Sequence, residues 1–211
     1  MMKTRIAVLT FAMMAICSVV NAQNKNTSII LGYGPVGSIH EKIVLDDEKY
    51  KYDYNSFWNA NIGIEKQFKG VSTLTEISYA QGKFDKYDLT GTSKWFNPAQ
   101  KDDIYSVSVT QFFGKTYNSN KRLQFPVYIG IGADYLNGGP FHNLLIDGAL
   151  KARLKFFITD NFGIYGGVTG RMGWGSKSAS ESKSSSSSSD SYLITNTSWS
   201  VDCGIMISLG N

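Results

Sequence analysis

The chain is poor in the residues that build covalent scaffolds and catalytic centres. Its 211 residues include two cysteines, two histidines and four prolines. Cys17 lies in an N-terminal segment expected to be removed, which leaves Cys203 and excludes an intramolecular disulfide. His40 and His142 are too few and too far apart to complete a set of three or four ligands, so neither metal nor cofactor is expected. Beyond the N-terminus no apolar run approaches the roughly eighteen residues a membrane helix needs. A helical membrane protein is thereby excluded, but a membrane β-barrel is not. The formal net charge of +4 implies no nucleic-acid partner.

The N-terminus has the form of a secretory signal. Lys3 and Arg5 precede a mostly apolar stretch from Ile6 to Val20, and Val20-Asn21-Ala22 supplies a small residue for cleavage between Ala22 and Gln23. Ile16, in place of a small residue before Cys17, argues against a lipid anchor. The reading is a signal peptide over residues 1–22 and a single β-barrel domain over 23–211, whose charge falls to +2 with the loss of Lys3 and Arg5.

Within that domain, alternate residues differ sharply in polarity, as in strands that separate two environments. Over residues 57–68, Trp58, Ala60, Ile62, Ile64 and Phe68 share one face, while Asn59, Asn61, Gly63, Glu65 and Gln67 share the other. Leu144, Ile146, Leu150, Ala152, Leu154 and Phe156 likewise oppose Asp147, Lys151, Arg153 and Lys155. Extending the period predicts eight strands near 28–37, 56–68, 71–84, 103–113, 124–136, 143–157, 162–174 and 192–209. The connections then include long loops at 38–55, 85–102 and 175–191 and very short turns at 69–70 and 158–161. Short turns on one side and long loops on the other, with an even strand count, predict an all-β, eight-stranded antiparallel up-and-down transmembrane β-barrel.

The apolar face carries rings at both expected interfaces. Trp58, Tyr79, Tyr105, Tyr135 and Trp174 fall toward the outer rim, and Phe68, Phe113, Phe125, Phe156 and Phe162 toward the inner rim. Trp58 to Phe68 spans ten intervals, which at roughly 3.3 Å each and a tilt of about 40° is about 25 Å of height, the thickness of an apolar band. A soluble, lipocalin-like ligand carrier would put its apolar face inward instead. Charges opposite complete apolar stripes and rings at strand ends favour the membrane form.

The stretch Phe157-Ile158-Thr159-Asp160-Asn161-Phe162-Gly163-Ile164-Tyr165 is a tight turn between strands, and with it the chain resembles the small eight-stranded outer-membrane β-barrel domains common in Bacteroidetes, similar in architecture to OmpX and the transmembrane domain of OmpA. The resemblance spans the mature chain. It implies a Gram-negative outer-membrane location, contact with outer-membrane lipid and lipopolysaccharide, insertion by the barrel assembly machinery, and a monomer. Such barrels usually end on an aromatic residue; this chain ends Ser208-Leu209-Gly210-Asn211, with Leu209 at the expected apolar position.

The lumen-facing set is Glu65, Glu76, Asp134, Asp147 and Asp202 against Lys151, Arg153, Lys155 and Arg171. Eight strands leave room only for side chains, so this mixture predicts a plug of paired charges; an ion or proton pathway is the alternative, and an open porin needs more strands. Gly32-Tyr33-Gly34-Pro35-Val36-Gly37 matches a dinucleotide-binding glycine pattern by chance, since Pro35 interrupts it and no helix follows. Gly130 and Gly132 read as positions that make room for lumen side chains. His142, with a loop serine, is a weak candidate for a lipid A-modifying enzyme. The charged segment Glu41 to Asp53, with Tyr50 and Tyr52, and the serine-rich segment Ser176 to Ser191 read as outer loops able to meet an extracellular surface ligand. The leading expectation is a structural or adhesin-like protein, not an enzyme, that works through those loops.

Overall fold

Alternation of apolar and polar side chains over nearly every described segment dictates strands, and the computed structural model pairs them into a ring. It describes residues 27–45, 48–90, 103–119, 121–138, 141–178 and 191–209. The strands are β1 (Thr27–Leu45), β2 (Glu48–Phe68), β3 (Val71–Thr90), β4 (Ile104–Tyr117), β5 (Leu123–Gly138), β6 (Phe141–Phe157), β7 (Phe162–Ser178) and β8 (Ser191–Leu209). Each pairs antiparallel with its sequence neighbours, and β8 pairs with β1 to close the barrel. The expected eight strands are all present.

The register fixes the tilt. A path of paired residues runs from Thr27 through Lys66, Thr73, Phe113, Ile129, Leu150, Gly170 and Trp199 to Ser38, eleven residues along β1 from its start. One of the eleven is taken up by a bulge between Tyr33 and Val36, where two residues of β1 oppose one of β8. A shear of ten over eight strands, with about 3.3 Å per residue and about 4.8 Å between strands, gives a tilt of about 41°. Gly34 and Pro35 make that bulge, so the glycine pattern at residues 32–37 is spent on bending a strand, where a proline without a ladder donor is tolerated.

The two ends of the ring differ. At one end Lys69 and Gly70 turn β2 into β3 with φ of 47° and 83°, the mirror-image turn that suits a twisted hairpin; this is called the turn end. At the other, called the far end, β1 and β2 stay paired up to Leu45 and Glu48. The segment at 38–55 expected as a long loop is therefore a hairpin. Its own sequence explains the error. The bulge of β2 between Asn55 and Trp58 and that of β1 between Tyr33 and Val36 shift the phase of the alternation, so a period-two reading begun in the barrel wall fails there although both strands continue. β3 likewise runs to Thr90 and β7 to Ser178, shortening the other two expected loops. The signal segment with its Ala22/Gln23 cleavage site, residues 91–102 and residues 179–190 lie outside the described residues.

Candidate functional site

The interior is filled from the wall inward by the alternate side chains of all eight strands. Glu65, Glu76, Asp134, Asp147, Lys151, Arg153, Lys155 and Asp202 are all buried in it. Arg171 joins them, its side chain 14% exposed.

Glu76 is the hub. Its carboxylate accepts from Lys151 at 2.6 Å on each oxygen and from Arg153 Nη2 at 2.6 Å, and Arg171 Nη2 lies 3.6 Å away. Arg171 Nη1 also donates to Asp147 Oδ2 at 2.9 Å and to Thr110 Oγ1 at 2.6 Å. Arg153 extends the network to Asp202 at 3.7 Å and lies 4.5 Å over the Tyr165 ring. Toward the turn end, Glu65 pairs with Lys155 and accepts from the Tyr128 hydroxyl at 2.7 Å. Asn61 bridges the remaining groups, accepting from Tyr165 at 3.1 Å and donating to Asp202 at 3.3 Å. A cation and an acid from different strands thus meet at nearly every point, which offsets the cost of removing each from water. Asp134 makes no ion pair among those described; its carboxylate is hydrogen-bonded by Ser106.

Apolar side chains close the gaps. Ile39, Ile43, Tyr52, Tyr54, Phe57, Ala80, Ile104, Leu136, Leu145 and Ile194 form one buried cluster within the far half of the ring. A second, of Ile30, Leu74, Phe112, Tyr128, Ala149, Tyr165 and Met206, interleaves with the charges. Between the far cluster and the charges lies a cavity of about 30 Å³, room for one or two waters. Gly130 and Gly132 permit this density: a Cβ on Gly130 would sit 2.5 Å from the Phe112 ring, and one on Gly132 would sit 2.6 Å from Asp147 Oδ1.

The outer wall carries the complementary set. Phe68, Tyr79, Tyr105, Phe113, Phe125, Tyr135, Phe156, Phe162 and Trp174 are exposed on it, together with Leu31, Ile62, Val107, Ile129, Ile146, Leu150, Val168 and Trp199. Trp58 packs between Tyr33 and Tyr79, with ring centroids 6.2 and 5.4 Å away.

His142 belongs to β6, opposite Asn137. Among the described side chains, His40 has a built environment. His40 and Asp53 are ladder partners on the β1–β2 hairpin, and His40 Nδ1 lies 2.7 Å from Asp53 Oδ1. Two residues back along β1, Ser38 Oγ lies 3.1 Å from His40 Nε2. Reading 38–55 as a loop hid this grouping. A hairpin folded at Asp46-Asp47 would have placed residue 53 opposite residue 40 from the sequence alone.

No family model matches the chain, and no curated protein matches it in sequence. Solved structures do. The outer membrane protein OprG from Pseudomonas aeruginosa superposes with a TM-score of 0.51 at 11% identity, over 89% of this chain and 99% of that one. The Escherichia coli outer membrane protease OmpT (TM-score 0.49, 9% identity, 87% and 97% coverage) and Neisserial surface protein A (TM-score 0.46, 9% identity, 86% and 97% coverage) are also similar. The chain has the fold of a small outer-membrane β-barrel.

Proposed function

We propose that this protein is a non-conducting outer-membrane barrel whose work is done at its far end, exposed to the cell exterior, in a structural or surface-binding role. The observation that carries the reading is the inversion of polarity across one wall: ionised side chains fill the lumen while the outside is a belt of apolar and aromatic residues. In water that arrangement would be costly; in a bilayer it satisfies both faces. Outer-membrane lipid and lipopolysaccharide then surround the belt, the signal peptide at 1–22 exports the chain, and the barrel assembly machinery inserts it as a monomer, with Leu209 at its terminal apolar position.

The filling of the lumen supports a role without conduction, since the far cluster and the Glu76 network both lie across it among the described residues. The β1–β2 hairpin replaces the expected flexible loop as the contact surface: it presents Lys42, Lys51, His40 and Asp53 on a rigid ribbon. The purified protein in a planar bilayer should give no discrete conductance steps. Stable steps of open-pore size would overturn this reading.

A further inference from the structure

We propose that Ser38, His40 and Asp53 form a hydrolytic triad on the outer wall of the barrel that cleaves acyl esters of a phosphorylated lipid in the surrounding leaflet. The proposal adds an activity to the reading above and rests on it for the placement of the wall in lipid.

The hydrogen-bond chain carries the assignment. The Asp53 carboxylate only accepts, so His40 Nδ1 holds the proton and donates to Asp53 Oδ1 at 2.7 Å. In the neutral ring His40 Nε2 is then the acceptor and receives the Ser38 hydroxyl at 3.1 Å. Nucleophile, base and orienting acid stand in the order and the tautomer that acyl transfer requires, a constellation recognised by geometry and not by chain order. Ser38 is only 6% exposed, so the nucleophile is withdrawn from bulk water, while the His40 and Asp53 side chains are about half exposed.

Height places the triad at the ester level of a membrane. Ten register steps separate Thr27 from Ser38, and at about 2.5 Å of axial rise per step the serine stands about 25 Å above Thr27, the full height of an apolar band. Ser38 is the ladder partner of Trp199, an outward ring, so a lipid chain lying along the wall meets the serine near the join of tail and headgroup. The next outward rung beyond His40 and Asp53 pairs Lys42 directly with Lys51. Two like charges face to face are unfavourable alone and suit an anionic headgroup bound between them.

The reaction balances without a co-reactant other than water. Ser38 Oγ attacks the acyl carbonyl carbon as its proton passes to His40 Nε2. The ester C–O bond breaks, and the lipid alkoxide leaves with that proton as an alcohol. Water, deprotonated by His40, then attacks the acyl carbon of the acyl-serine; the bond between that carbon and Ser38 Oγ breaks, Ser38 Oγ regains the proton, and one fatty acid is released.

The full-length mature protein, reconstituted separately with lipid A vesicles and with phosphatidylglycerol vesicles, is assayed for released fatty acid by mass spectrometry. Release from one or both sets is expected, and which set responds identifies the lipid source. Ser38→Ala and His40→Ala should lose roughly 10³-fold or more and Asp53→Asn at least about 10²-fold, with the folded gel band retained. His142→Ala should keep wild-type release. Independently of any variant, a fluorophosphonate probe should label the native protein at Ser38 and lose that label on heat unfolding. No release from either lipid by folded protein, equal release by wild type and Ser38→Ala, or no label at Ser38 would each overturn the triad. Recovery of a Ser38-labelled protein outside the membrane would instead overturn the outer-membrane reading.

Discussion

Glu76 on β3 reaches across the lumen to Lys151 on β6, and the Lys151 ammonium nitrogen lies 2.6 Å from each of its carboxylate oxygens. With Arg153 at 2.6 Å and Arg171 at 3.6 Å, one acid answers three cations. Replacing Glu76 by Gln leaves buried positive charges unmatched, and should lower the unfolding free energy by about 3 to 5 kcal/mol in urea titration in lipid vesicles. Asp134→Asn, which removes a carboxylate with no ion pair among those described, should cost under about 1 kcal/mol. Equal losses would mean that the network does not hold the barrel together.

The wall makes a depth-dependent prediction. Ile62, half exposed at mid-height, should cost about 2 to 4 kcal/mol when replaced by Lys, while Val71→Lys, 60% exposed beside the turn, should cost about 0 to 1 kcal/mol. Asn61, the lumen neighbour of Ile62, is a different case. It is buried against Tyr165 and Asp202, and a lysine there would displace both contacts and add a cation.

Packing inside the ring predicts that Gly130→Val is destabilising by about 1 to 3 kcal/mol, because its first added carbon already meets the Phe112 ring at 2.5 Å. Gly166→Val, where a Cβ meets nothing within 4 Å, should be tolerated within about 0.5 kcal/mol. Urea titrations of the pair decide.

The β1–β2 hairpin predicts slow amide exchange. Ile39 to Ile43 and Tyr50 to Tyr54 are ladder partners, so their amides should exchange as slowly as those of the shorter strands, and rapid exchange would restore the loop.

The barrel wall was legible in the sequence because a membrane barrel writes its two environments in alternate residues, as from Trp58 to Phe68. What was not legible lies where the alternation breaks. The bulges near Asn55 and Tyr33 invert the phase, so Ile39, Ile43, Tyr52 and Tyr54 read as scattered loop residues although they belong to the buried apolar cluster of the far half. The same break hid Ser38, His40 and Asp53, which only a register can bring together. The lumen charges could be read as a set, but which acid would serve as the hub depends on shear: ten steps of stagger bring Glu76 opposite Lys151 and Arg153.

The apolar outer wall calls for a chain that spans the outer membrane with that face toward lipid. Cell fractionation followed by gel electrophoresis in SDS, with and without boiling, tests it most directly. Recovery in the outer-membrane fraction is expected, with a band whose mobility changes only on boiling. Recovery as a soluble protein with no heat-dependent shift would contradict it, and would require the apolar wall to be covered by something other than lipid.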